Sequence, residues 1–545
     1  MNKTLLSLIL VVVFSVGSIL YYAFKVKPDS QEVFISFAHM GDIHGQLLPR
    51  IRIKEGEKRY YEGGLAKLYT IVNHLRERDS QMILINTGDT IHGSAEALFT
   101  KGEAVVKILN KFGINYYAPG NWDWVYGKER FEELFINEKP IAPWNPLIAN
   151  IYDTTTGKPI AAPFKIQTIR GVKVGFIGFS AKPSSIDNTM IKDIRFSDAQ
   201  AEYKKYVTQL RPQVDVLVVI SELGLARNIE LAKETAGVDF IFSSGMHEET
   251  PEAIRLANGT LIMEEGSDGT RLGELNILIK KGKLMGHKFK MHIVDRNVPD
   301  NKEISGLIEE LRQPFLDKQN AKKFINPFTA HHLQGPLDSI VGETEVALSR
   351  ANYSESSMPA VIEGSSHNFV TDAFRIQSGA DIAMIPGFRH GTNVVKGPIY
   401  REDLYHFIPT GAFVTMKKLS GEKIKKILEN SADATFAKSS KNWKDGWISG
   451  FSGLHFNLNT YDLKGARISK VTVLDKKTNS YLPLQMHKMY TIASYQYDKD
   501  ATIDAIEMLE DYLKNHTAKP ELNRITLDNK LPAYKYGNKE VQPLP

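Results

Sequence analysis

The strongest constraint on this chain is a repeated figure: an apolar, strand-like run that breaks off into a short polar loop. The runs are EVFISFAHMGDIHG (residues 32–45), SQMILINTGDTIHG (80–93), GVKVGFIGFS (171–180), VDVLVVISELG (214–224) and VDFIFSSGMHEE (238–249). Runs this apolar read as buried strands. Between them lie segments with apolar residues at helical spacing, GGLAKLYTIVNHLRER (63–78) and GEAVVKILNKFG (102–113), the second ended by Gly113. Strands alternating with helices predict an α/β domain whose sheets are covered by helices. In open α/β sheets, ligands sit at the carboxyl ends of the strands.

Those ends carry residues of one chemical kind: Asp42 and His44 in GDIHG, Asp89 in TGDT, Asn121 in GNWD, Glu222 in SELG and His247 in SGMHE. Carboxylates, imidazoles and an amide oxygen are ligands for divalent ions of the Mn, Fe, Zn or Mg type. An Asp-x-His step on extended backbone puts both side chains on one side, so Asp42 and His44 can reach the same ion. Asp89 can bridge two ions with its two oxygens. A two-metal site would clamp a phosphoryl or sulfonyl group and lower the pKa of a bound water. Alone, each residue reads as a turn former, a helix cap or a structural histidine. In order at successive strand ends, they read as a centre for one or two ions of Mn, Zn or Fe. In APGNWDWVYG (118–127), Gly120 and Asn121 make a sharp turn, with Trp122 and Trp124 directly behind it.

At 545 residues the chain is too long for one ordinary core. Residues 29–298 hold the α/β pattern. Residues 299–334, with EISGLIEELRQPFLDKQ, read as a linker helix, and a second αβ unit occupies 335–512. Residues 513–545 form a tail whose end, YGNKEVQPLP (536–545), is expected to be poorly ordered. Residues 1–28 include Lys3 and the uncharged apolar run LLSLILVVVFSVGSILYYAF (5–24), long enough to span a bilayer. This predicts a signal anchor, with a cleaved signal peptide as the alternative, and a body that is exported, periplasmic or on the outer face of the cytoplasmic membrane. The chain has no cysteine, which excludes disulfides, thiolate metal sites and cysteine nucleophiles. A net charge of +5 with mixed signs argues against a nucleic acid polymer as partner.

The motif order D-x-H, G-D, G-N-x-D/E, S-x-x-G and x-H-E resembles the calcineurin-like metallophosphoesterases. The segments NFVTDAFR, ADIAMIPGFR, GPIYREDLYHFIP, LSGEKIKKILE and SGFSGLHF resemble the carboxyl domain of the 5'-nucleotidase and UDP-sugar hydrolase family. The resemblance implies a four-layer metallophosphoesterase domain followed by a 5'-nucleotidase-type α/β domain. Within that superfamily GNWDWVYG, PGFRHGT and ILENSADATF look most like the periplasmic thiosulfohydrolase of sulfur oxidation, which acts on a sulfur chain held by a carrier protein.

Carried over by position, the resemblance implies a first metal site of Asp42, His44, Asp89 and His247. The second would comprise Asp89, Asn121 and Glu222, with Gly245 where a histidine is usual. Glu222 itself replaces a histidine, and Trp122 stands where the family places an imidazole beside the scissile group. Tryptophan offers only an N–H donor and a flat face, so general acid work falls to another group. Asp123 and His92 are the candidates nearest in sequence. In the second domain the resemblance implies that Arg389 grips the anionic group, supported by Arg375, Asn368 and Asp372. Trp447 and Phe451 would stack on a base, while Pro386 and Phe388 reshape the loop that hugs a nucleoside. Three functions follow: a metal-dependent hydrolase of phosphate esters such as nucleotides, a thiosulfohydrolase-like enzyme, and a binding protein that no longer catalyses.

Overall fold

The computed structural model describes residues 32–54, 58–183, 191–349, 362–386, 393–437, 442, 447–496 and 503–529. Two sheets stack face to face in the first domain. One runs in the order Lys283–Ile293, Arg271–Lys280, Glu32–Gly41, Ile83–Thr87, Tyr116–Tyr117; the other runs Ile254–Arg255, Leu261–Glu264, Phe240–Ser243, Val216–Glu222, Val172–Ser180, Phe164–Ile169. The period of two along Glu32–Gly41 explains the layering. Ile35 and Phe37 point into the core between the sheets, against Phe176, Val218 and Phe242. Ala38 and Met40 point the other way, toward helix Leu65–Arg78. That helix buries Leu65, Leu68, Ile71, Val72 and Leu75, an i, i+3, i+4 stripe. Helices Gln200–Leu210 and Leu225–Glu234 cover the outer face of the second sheet. The result is helix, sheet, sheet, helix: four layers.

Register fixes where the loops emerge. Gly41 pairs with Thr87 in parallel, and Ser221 with Ser243, so the loops carrying the candidate ligands leave their sheets side by side. In the second domain a central sheet of Phe413–Ser420, Met489–Gln496, Ile382–Ile385 and Gly450–Ser452 lies between two apolar clusters. Helix Lys302–Leu316, within the segment expected to be a linker, joins the two halves by packing. Ile304 and Ile308 enter the first domain's core, and Phe315 enters the second's. Arg312 reinforces the joint through Glu96 Oε1 at 2.6 Å and Glu402 Oε2 at 2.5 Å.

The second domain runs past its expected end at residue 512. Helix Ala505–Asn515 runs past residue 512, and strand Ile525–Leu527 adds in parallel to Leu454–Leu458. Arg524 is 1 % exposed and pairs with Asp372 at 2.6 Å, and Ile525 is buried, so this stretch packs onto the second domain. A polar composition hid this, because the burying partners lie far away in sequence. Among the described residues no helix is long and apolar enough to cross a membrane; residues 5–24 lie outside them. Arg524→Ala is expected to destabilise the second domain by about 3–5 kcal/mol, because it leaves Asp372 buried without its cation. Urea unfolding followed by tryptophan fluorescence measures this, and an unchanged midpoint would contradict it.

Candidate metal centre

The first two strands end in a pair of zipped loops. Asp42 N donates to Gly88 O (3.0 Å), His44 N to Asp89 O (2.7 Å) and Gly45 N to Thr90 O (3.0 Å). The backbone there is not extended. Asp42, His44 and Asp89 have φ of 47°, 50° and 42°, and His247, from the opposite sheet, has 63°. A non-glycine residue in this left-handed region costs about 1–2 kcal/mol, and such strain clusters at functional sites. Asp42 and His44 therefore converge through a left-handed turn rather than through the alternation of a strand.

The turn Gly120-Asn121 is pressed against Asp89. A Cβ on Gly120 would lie 2.1 Å from Asp89 N, so only glycine fits. Trp122 N donates to Asp89 Oδ1 at 2.8 Å, orienting that carboxylate. Asp123 does not face the chemistry expected of it. Its Oδ1 accepts from Thr90 N (2.8 Å) and Ile91 N (3.0 Å), and its Oδ2 from Gly120 N (2.8 Å) and Tyr117 Oη (2.6 Å). Both oxygens hold the turn together, and Asp123 is a positioning residue. Trp124 is core, stacked on Phe131 at 3.9 Å.

His92 and Trp122 do lie at the centre. The His92 ring stacks on Trp122 at 5.3 Å and 27°, and meets His44 edge-on at 5.3 Å. His247 meets His44 edge-on at 4.7 Å. Three groups have ligand atoms within 4.8 Å of one another: Asp42, His44 and His247; His44, Asp89 and His92; and Asp42, Asp89 and Glu222. All of these residues are buried. Asp42 Oδ1, Asn121 Oδ1 and Glu222 Oε1 are buried without a hydrogen-bond partner among the described residues, as befits atoms that await a cation. The donor set of carboxylates, imidazoles and an amide fits a divalent ion.

Electrostatics agree. Burial, then the repulsion of neighbouring carboxylates, pushes Asp42 and Asp89 well above the ordinary carboxylate range, with Asp89 and Asp42 the charges acting on Glu222. Gly245 N to Asp42 Oδ2 (2.8 Å) and Ala181 N to Glu222 Oε2 (3.1 Å) offset this only in part. One partner escaped the sequence reading. Asp268 Oδ1 accepts from His44 Nδ1 at 2.9 Å, which fixes the ring and turns Nε2 toward Asp89, 3.9 Å from Oδ2. Its segment, EEGSDGT, does follow an apolar run, but Ser-Asp-Gly reads as an ordinary turn.

From the second domain only Trp447, of the expected substrate residues described, reaches this centre; it stacks over His247 at 6.1 Å and 23°. Phe451 is in the core against Phe456. Asn368 donates to Glu363 Oε1 (2.7 Å) and Glu521 O (2.8 Å), Asp372 is held by Arg524 and Ser452, and Arg375 Nε donates to Ser452 Oγ at 2.7 Å. These bonds tie helix Ser365–Ser378 to its own domain through Asn368 Nδ2, both oxygens of Asp372 and Arg375 Nε. Arg389, with Phe388, lies outside the described residues.

Comparison with known proteins matches residues 35–249 to the calcineurin-like phosphoesterases and residues 340–511 to the 5'-nucleotidase C-terminal domain. The NAD 5'-nucleotidase of Haemophilus influenzae is 20 % identical over 531 residues, 87 % of this chain and 85 % of that protein. The 5'-nucleotidase of Vibrio cholerae is 21 % identical over 464 residues, 76 % of this chain and 80 % of that one. Crystal structures of a 5'-nucleotidase precursor and of the sulfate thiohydrolase SoxB, both from Thermus thermophilus, share this fold. Each has a TM-score of 0.76 at 20 % identity over 91 % of this chain, covering 100 % and 97 % of theirs.

Two outcomes follow from the geometry. Asp123→Asn places an N–H₂ among donors and is expected to weaken metal binding about 10–100-fold, read by competition with a chelating dye. The raised carboxyls of the metal-free protein contribute stability that is fully present below the unfolded pKa of ~4 and is lost as pH rises through their higher folded values. A divalent ion removes that loss. The rise in Tm on adding Mn is therefore expected to grow between about pH 5 and pH 8; a rise that shrinks with pH would contradict the site.

Proposed function

Since this chain belongs to the calcineurin-like phosphoesterases that carry a 5'-nucleotidase C-terminal domain, we propose that its metal-dependent hydrolysis of phosphate esters acts on nucleotides or related small phosphorylated metabolites. The observation that carries this reading is the convergence of Asp42, His44, Asp89, Glu222 and His247 in overlapping groups, each with its ligand atoms within 4.8 Å of one another. When bound there, a divalent ion supplies positive charge to phosphoryl oxygens and makes a nearby water more acidic. Asp42, His44, Asp89 and His247 would hold it, with Asn121 and Glu222 beside them. His92 takes over from the imidazole that Trp122 displaces: it lies against His44 and Asp89, and Trp122 keeps its ring plane fixed. In that position it can give a proton or a hydrogen bond to the anionic group. Trp447 brings the second domain's aromatic face to the same point, where a planar base can stack.

Residues 5–24 serve as the membrane anchor in this reading, on the outer face of the cytoplasmic membrane. Glu32 begins the first strand, and Asp42 follows its far end. A second reading, release of sulfate from a carrier-bound sulfur chain, draws on Trp122 in place of the usual histidine. Release of phosphate from AMP and p-nitrophenyl phosphate, against release of sulfate from a protein-bound thiosulfonate, separates the two. His92→Gln is expected to lower kcat for AMP about 100-fold or more while leaving bound metal unchanged. A native chain inert on every phosphate ester with Mn, Zn and Mg would overturn the first reading, and inertness on both classes would leave a binding protein.

A further inference from the structure

The two imidazoles missing from the second metal position have one structural consequence. Glu222 ends strand Val216–Glu222, is 1 % exposed, and reaches across the loop that follows strand Phe240–Ser243. A Cβ on Gly245 would lie 2.8 Å from Glu222 O and 3.0 Å from Glu222 Oε1, on a backbone with φ of 105°. The carboxylate thus runs beside the space that a side chain at 245 would need. Glycine at 245 and glutamate at 222 are one coupled solution: the absence of a side chain at 245 lets a longer acid reach the centre. Ala181 N and the Asn121 backbone N–H hold that acid in place.

The donors then divide unequally. Asp42, His44 and His247 form a group with two imidazoles. His44, Asp89 and His92 form another with two; Asp42, Asp89 and Glu222 form a group with none, and the buried Oδ1 of neighbouring Asn121 is a further oxygen. Resting on the metal-dependent reading above, we propose that the centre holds two different ions. The nitrogen-and-oxygen side takes a borderline-soft ion such as zinc, and the oxygen-only side of Asp89, Asn121 and Glu222, with Asp42 adjoining, takes a hard ion of the magnesium or manganese class. Imidazole suits zinc and iron, whereas carboxylate and amide oxygens suit magnesium and manganese. Magnesium binds through one or two carboxylates and keeps several waters. The carboxylate charge gathered here also favours the harder ion, because charge rather than covalency is what the oxygens supply.

The test is binding to the full chain in detergent, stripped of metal, with no substrate present. Zinc chloride is titrated first, then manganese chloride, with bound metal counted by mass spectrometry and manganese followed by EPR. Expected is tight binding of one zinc per chain, followed by one manganese on the zinc-loaded protein, with the signal of an isolated ion. Glu222→Gln, which keeps the shape and removes the charge, is expected to weaken manganese about 10–100-fold while leaving the zinc untouched. Glu222→His is expected to raise zinc to two per chain and to exclude manganese. Two zinc ions of similar affinity on the native chain, or no manganese on the zinc-loaded chain, would overturn the proposal. Hydrolysis is measured separately. Zinc and manganese both bound on a chain inert toward phosphate esters would sink the functional reading and leave the mixed centre standing.

Discussion

Three carboxylates buried within 4.8 Å of one another set the terms for the rest of the first domain. Asp42, Asp89 and Glu222 cannot all be ionised in so dry a place unless a cation stands among them. The fold gathers them anyway, Asp42 and Asp89 on left-handed backbone and Glu222 at a strand end, with Gly120 and Gly245 where the loops press closest to them. The arrangement persists because each acid is held by main-chain N–H groups of a neighbouring loop, and those loops are held by the sheets beneath. Stability is given up at the centre and recovered in the layers, where residues such as Phe37, Phe176 and Phe242 each contribute about 1.5–3 kcal/mol by burial. The domain is built around a charge that must come from outside it.

The second domain meets that centre through very little. Helix Lys302–Leu316 shares its apolar side chains between the two cores, and Arg312 spans Glu96 and Glu402. Over the metal ligands themselves the second domain sets, among the described residues, the aromatic ring of Trp447. The same economy shows at Trp122. It has no proton to give as an acid, yet its flat face lies on His92 and steadies an imidazole that comes from a different loop. A residue that looks like a loss in one dimension is half of a stacked pair in three.

Much of this was legible along the chain, and the failures share one cause. The strand ends were legible because a buried parallel strand must be apolar on both faces, so a polar residue where the run stops stands out. Asp123 was misread because a carboxylate beside Asn121 looks like chemistry until the Thr90, Ile91 and Gly120 N–H groups are seen to fill it. The internal bonds of Asn368, Asp372 and Arg375 were hidden for the same reason: their partners, Glu363, Ser452, Glu521 and Arg524, are scattered over the whole second domain. The ordered stretch up to residue 529 was missed because its polar sequence conceals Arg524, whose counter-charge is Asp372.

The sequence by itself determined the kinds of atom available at the centre, the order in which strands deliver them, and the two-domain plan. Local patterning suffices for these, since periodicity and turn chemistry act between near neighbours in the chain. Only the tertiary structure decided which carboxylates stand empty-handed and which are already hydrogen-bonded. It also decided that Glu222 reaches past Gly245, and that His92 lies against Trp122. Those are matters of distance between residues far apart in sequence, and a hydrogen bond or a charge repulsion falls away within a few ångströms, a separation that no linear pattern records.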